Sequence, residues 1–178
     1  EETNDLRGSA MPGGFEQDHG YVFEVPSALD HPVEDPKPLR ALGRFRHEAV
    51  CVDPRTGIVY LTEDMADGAI YRFIPLKPGE LSRGGRLQAL ASKVRASLCT
   101  RNWADSPMKI PVGAKLPVRW IDLDDVEAPK DDLRLRAFAA GAARFARAEG
   151  MWFGHDRRTP GGGGEVFWAC TTGGSAGV

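Results

Sequence analysis

Short apolar runs separated by turn residues fill this sequence, and apolar positions take a helical spacing in only one stretch. Residues 20–26 are aromatic and β-branched and end in Pro26, which predicts a strand. Residues 27–40 carry Pro32, Pro36 and Pro38, so they cannot be a helix interior. The next block is the best patterned. Residues 49–52 predict a strand. Asp53-Pro54-Arg55-Thr56-Gly57 is a turn with proline at its first central position, and residues 58–62 predict a second strand. Asp67-Gly68 signals another turn before a third strand at residues 69–74, stopped by Pro75. Strands joined by such short turns read as a β-meander in one small antiparallel sheet.

Residues 87–90 and 118–121 carry weaker strand patterns, and residues 91–117 show no clear period. The helical stretch starts at Asp131-Asp132, runs through Leu133, Ala137, Phe138 and Ala140, and ends at Gly141. Residues 144–150 lead into an apolar run at 151–153. A glycine-rich hairpin loop at 154–164 follows, and residues 165–171 close the pattern as a strand. Residues 1–19 are polar and read as loop.

Two blocks echo one another. Arg44-Phe45-Arg46-His47-Glu48 precedes an apolar strand, a turn and a second strand, and so does Arg144-Phe145-Ala146-Arg147-Ala148-Glu149. Repeated small meanders with a glutamate before the first strand predict a β-propeller. A blade takes about 40–50 residues. The chain of 178 residues is therefore expected to hold about three blades plus one short helix. A closed ring needs at least about four blades. Residues 1–178 are thus expected to be a fragment of a single all-β propeller domain.

Composition narrows the function. Lys plus Arg is 23 and Asp plus Glu is 25, a formal charge of −2, which argues against a nucleic-acid partner. No apolar run is long enough for a transmembrane helix. The N-terminus lacks a basic, apolar leader. Cys51, Cys99 and Cys170 are widely spaced without a CxxC, so no zinc site is signalled; a single disulfide with one free thiol stays open. The run Gly161 to Gly164 precedes a strand rather than a helix, and neither a phosphate-cradling P-loop nor a GxSxG nucleophile is present.

The chemistry-bearing candidates are carboxylates at strand starts and ends. Glu48 and Glu149 precede the first strands of the two echoing blocks, which in a propeller places them at one mouth of the central channel. Glu63 ends the second strand of the first block. Carboxylates converging from several blades form an oxygen cage for a hard cation such as Ca2+ or a ferric ion. Each is equally readable as a surface or turn carboxylate. Arg147 precedes Glu149 by two positions, so in extended chain both face one way, and Arg147 could grip an oxyanion bidentately. It reads otherwise as a solvated residue at a helix–strand junction. His47 points away from Glu48 and reads as a packing residue.

The ordered combination of Gly43-Arg44-Phe45-Arg46-His47-Glu48, Tyr60-Leu61-Thr62-Glu63-Asp64, Tyr71-Arg72-Phe73-Ile74-Pro75, Phe145-Ala146-Arg147-Ala148-Glu149-Gly150 and Thr171-Thr172-Gly173-Gly174 resembles the PhoX-type alkaline phosphatase family. The resemblance spans residues 19–178. It implies a β-propeller holding Ca2+ and Fe3+ at the channel mouth and hydrolysing small phosphate monoesters in the periplasm or outside the cell. It implies that Glu48, Glu63 and Glu149 are metal-site residues and that Arg147 binds the substrate phosphate. Glu1-Glu2 resemble the tail of an upstream Cys-Glu-Glu motif of the family, and the family's Arg-Pro-Glu-Gly reads Arg147-Ala148-Glu149-Gly150 here. The full-length protein is expected to be a monomer, and this fragment inactive alone. A calcium-dependent lactonase and a non-catalytic propeller scaffold are the rival readings.

Overall fold

The computed structural model describes residues 1–9, 14–26, 35–155 and 163–174. His31 and parts of the predicted loops at 27–40 and 154–164 lie outside those residues. The described chain forms two antiparallel sheets and one short helix. β1 (His47–Val52), β2 (Val59–Glu63), β3 (Ile70–Pro75), β4 (Gly85–Ser92) and β5 (Val118–Asp122) make a five-stranded sheet in sequence order. After α1 (Leu133–Ala139), β6 (Ala148–His155) and β7 (Gly164–Cys170) pair as a hairpin. The all-β class with one short helix is therefore the class of this chain, and β1–β4 have the up-and-down order of a propeller blade.

Local chemistry explains the meander. Asp53 Oδ1 accepts from the Arg55 N–H at 2.9 Å, and Asp53 Oδ2 accepts from the Thr56 hydroxyl at 2.8 Å. Gly57 leaves this turn at φ +72°, a backbone region that glycine enters without a steric cost. β2 and β3 then alternate their side chains between two apolar layers. Val59, Leu61, Tyr71 and Phe73 face a core built with Leu42, Phe45, Leu87, Leu133 and Ala137. Ile70 and Leu90 face a second core with Leu98, Phe145 and Ala148, against which Met151 and Trp168 of the hairpin pack. Burial on both faces of the sheet centre is what fixes its register.

Two expectations change. Residues 20–26 do not form a strand: Phe23 makes an isolated bridge to Pro38, and the Leu39 N–H bonds the Val22 carbonyl at 2.8 Å. The facing segment carries Pro36 and Pro38, which lack an N–H, so no ladder can grow there. The acidic start of the helix also works differently. Asp132 makes no cap to the backbone, and its carboxylate instead pairs with Arg136 one turn on, at 3.1 Å.

β6 lies beside β1 and reaches β2, so the two first strands of the echoing blocks are neighbours. Both are bulged at the same place. The β1–β2 register shifts between His47 and Val50, and the β6–β7 register shifts between Ala148 and Met151. Each bulge holds one of the paired glutamates, Glu48 or Glu149.

Candidate functional site

His47 and Glu48 open β1 and diverge. His47 is buried, stacks on Phe45 with ring centroids 3.6 Å apart, and bonds the Gly43 carbonyl through Nε2 at 3.1 Å. Burial pushes its pKa down to about 3, so the ring is neutral and serves packing, as its sequence position predicts.

Glu63 is the cross-strand partner of His47. Directly paired residues share a face of the sheet, so Glu63 turns inward too and is completely buried. Its Oε2 accepts from the Tyr71 hydroxyl at 2.8 Å and from the Ala69 N–H at 3.0 Å, and Arg134 Nη1 lies 3.9 Å from Oε1. Burial pushes its pKa up to about 7, against the lowering effect of those partners. The expected grouping of Glu63 with Glu48 and Glu149 is therefore not what the structure assembles. Strand parity sends Glu63 to the face opposite Glu48 and places the next residue, Asp64, on the side of Arg147.

Glu48 and Glu149 are brought together. The Thr62 hydroxyl accepts from the Ala49 N–H at 2.9 Å and lies 2.8 Å from the Glu149 carbonyl, joining the two bulges. A hydrogen bond with Glu2, followed by partial burial and the charges of Glu2, Glu149 and Asp64, raises the Glu48 pKa to about 7. Two carboxylates bond directly only through a proton, which is why the more repelled one keeps it.

Glu1 anchors this end of the chain. Its carboxylate accepts from the Gly20 and Tyr21 N–H groups at 2.9 and 3.1 Å and meets His19 Nδ1 at 2.8 Å. The Glu1 carbonyl takes the His47 N–H at 3.0 Å, which sets Glu2 beside Glu48. A hollow of about 160 Å³ opens here, walled by Glu1, Tyr21, Phe23, His47 and Glu48 among others. A larger hollow of about 650 Å³ beside α1 lies apart from these residues, and four of its charged side chains pair, Arg40 with Glu127 and Arg136 with Asp132.

Arg147 sits at the centre of the acidic rim, with 43% of its side chain exposed. Nε and Nη2 donate to the two oxygens of Asp64 at 2.7 and 2.9 Å, a bidentate grip, and Nη2 lies 3.0 Å from Glu149 Oε1. The Thr171 hydroxyl donates to the same Glu149 oxygen at 2.6 Å. The Asp64 bonds, then the Asp64 and Glu149 charges, hold the guanidinium pKa above its ordinary value. Arg147 and Glu149 do meet, but not through extended chain: Arg147 has φ +48°, a left-handed backbone that costs a non-glycine residue about 1–2 kcal/mol. The Met65 carbonyl accepts its N–H at 2.9 Å and holds that conformation.

Asp64 and Thr171 join the site without having been given a role by the sequence, whereas Glu2 enters it as part of the Glu1-Glu2 pair already noted. The His47–Glu63 register explains Asp64: it carries the opposition of His47 and Glu48 across the pair to Glu63 and Asp64. All three cysteines are free thiols.

The chain is thus all-β, with an arginine set among carboxylates on adjoining first strands. The chain matches the family model for alkaline phosphatase PhoX over residues 5–177 and belongs to that family. No curated protein matches it. Among solved structures, Pseudomonas fluorescens PhoX in complex with vanadate, a transition state analogue, is 21% identical with a TM-score of 0.44; the match covers 76% of this chain and 25% of that one. The chain thus spans about a quarter of the length of that relative. Among the described residues, no helix is long and apolar enough to cross a membrane.

Proposed function

We propose that this chain supplies part of the active site of a metal-dependent phosphatase that hydrolyses small phosphate monoesters. The observation that carries the reading is the placement of Glu48 and Glu149 in equivalent bulges of neighbouring first strands, with Arg147 beside them. Membership of the alkaline phosphatase PhoX family supports the substrate class.

The donor set suits a hard cation in its chemistry. Glu2, Glu48 and Glu149 offer carboxylate oxygens and no sulfur or imidazole, the preference of Ca2+ and Fe3+. Glu2 and the neighbouring carboxylates raise the Glu48 pKa to about 7, and a bound cation would offset the same repulsion. Among the described residues, no group of three His, Cys, Asp or Glu side chains is arranged to hold an ion. Glu48 and Glu149, with Glu2, are therefore proposed as carboxylates contributed to a site that further donors complete. Bound there, Ca2+ and Fe3+ would polarise a phosphoryl oxygen and generate the nucleophile.

The remaining work falls to the chain's own side chains. Arg147 presents a planar fork whose geometry matches phosphoryl oxygens. Asp64 holds that fork from one side, and Glu149, itself held by Thr171, limits its swing from the other. Glu63 belongs to the packing behind the site. The complete protein is proposed to act as a monomer in the periplasm or outside the cell, where phosphate esters are scavenged.

Hydrolysis of a phosphomonoester and of a lactone by the complete protein, each before and after chelation, tests the reading. Phosphomonoesterase activity that chelation removes is the expected result. Lactone hydrolysis alone, or a folded protein inactive on both, would overturn it.

A further inference from the structure

From the packing behind Arg147 we infer that Arg134 of α1 is a positioning residue for the Arg147 guanidinium, acting through the loop at residues 63–69. The inference rests on the assignment of Arg147 to the substrate phosphate.

The Arg134 side chain is 10% exposed. Nε lies 3.0 Å from Asp67 Oδ1, and Nη1 lies 3.0 Å from Asp131 Oδ1 and 3.9 Å from Glu63 Oε1. Glu63 and Asp67 stand near opposite ends of the loop, so one guanidinium ties both. The loop is closed on itself as well: the Glu63 carboxylate accepts the Ala69 N–H at 3.0 Å, and the Met65 carbonyl accepts the Gly68 N–H at 2.9 Å.

One side of the Arg147 setting hangs from this loop, the other being the Glu149 contact. The Met65 carbonyl holds the Arg147 N–H at 2.9 Å, and the Gly68 carbonyl holds the Phe145 N–H at 2.8 Å. Asp64, inside the same loop, grips the guanidinium with both oxygens. The left-handed backbone at Arg147 persists only if its surroundings over-determine it. Glu63 Oε1 is buried with no hydrogen-bond partner, so Arg134 is the nearby cation that offsets it. A packing role alone would not require an arginine whose ion pairs meet the loop at both ends.

The test uses the complete protein and the variants Arg134→Met, Arg134→Lys and Asp67→Asn, with inorganic phosphate as the competing ligand. Two quantities are read: hydrogen-exchange protection of the Arg147 Nε–H by NMR, and phosphate inhibition of phosphomonoester hydrolysis. Arg134→Met is expected to remove the protection and weaken phosphate inhibition about tenfold, on the scale of lost supporting contacts. Arg134→Lys should recover part of both, because it keeps the charge but not the fork. A folded Arg134→Met protein with full protection and unchanged inhibition would overturn the inference. If Arg134→Met does not fold, Asp67→Asn decides by the same two readings, because it cuts one link and leaves the buried charges in place. Arg147→Met separates the two claims: unchanged phosphate inhibition there would refute the phosphate role of Arg147, while protection of the Arg147 Nε–H in the Arg134 variants still judges Arg134.

Discussion

Glu48 and Glu149 occupy the same position in two β-bulges, and the Thr62 hydroxyl stands between their strands. A bulge re-aims the side chain it carries. Two of them on neighbouring strands send both carboxylates to one rim, where Arg147 lies between Asp64 and Glu149. The repeat in the sequence is thus a repeat in the geometry of the site.

Thr62 is fully buried and serves both strands, so Thr62→Val is expected to be more harmful than its near-identical shape implies. The variant strands the partly buried Ala49 N–H and Glu149 carbonyl, at up to about 1–3 kcal/mol for each group to the extent that water cannot reach it. Thr62→Ser should retain most of the stability. Urea unfolding of the two variants gives the comparison, and equal loss in both would show that the hydroxyl does not link the bulges.

Glu63 makes stability depend on pH. Its folded pKa of about 7 lies above the ordinary 4.5, so the folded protein keeps the proton to higher pH than the unfolded chain. The resulting stabilisation is complete below the unfolded pKa and is lost as pH rises through the folded one. Between about pH 5 and about pH 8 the wild type should therefore lose stability relative to Glu63→Gln. Parallel unfolding curves for the two proteins across that range would show that Glu63 does not titrate in the core.

Gly43 combines two constraints. Its φ is +89°, and a Cβ there would lie 2.7 Å from Leu87 Cδ2 and 3.2 Å from the Phe45 ring. Its carbonyl also accepts the bond from His47. Gly43→Ala is expected to cost about 1–2 kcal/mol in backbone strain and about 1–3 kcal/mol in overpacking. A thermal midpoint equal to that of the wild type would contradict this.

Arg147→Lys preserves charge and removes the fork. An ammonium cannot take both Asp64 oxygens as parallel partners, so turnover in the complete protein should fall by at least about tenfold, with folding intact. Wild-type turnover would mean that only charge is needed at this position.

How much of this was legible in the sequence follows from the range of each interaction. The first three strands were readable because turn chemistry and alternation are local: Asp53 closes its own turn, and β2 and β3 alternate between two cores. The segment at 20–26 misled because its pattern is that of a strand while its partner is disabled by proline. Glu48 and Glu149 stand out from the echo of two blocks, and Arg147 from its spacing to Glu149, although its left-handed backbone is not the extended chain that spacing assumes. Glu63 was drawn to them by its place at a strand end, and the His47–Glu63 register sent it inward. Asp64 with Arg147, and Arg134 with Asp67, join residues 83 and 67 positions apart. No local pattern announces such pairs.

The most direct test of the account is phosphomonoester turnover by the complete protein carrying Glu149→Gln, measured beside Glu63→Gln. The rim carboxylate is proposed to hold the cations and the buried one to hold only the fold. Loss of metal-dependent turnover in Glu149→Gln, with turnover largely kept in Glu63→Gln, is the predicted result. Unchanged turnover in Glu149→Gln would contradict the central claim.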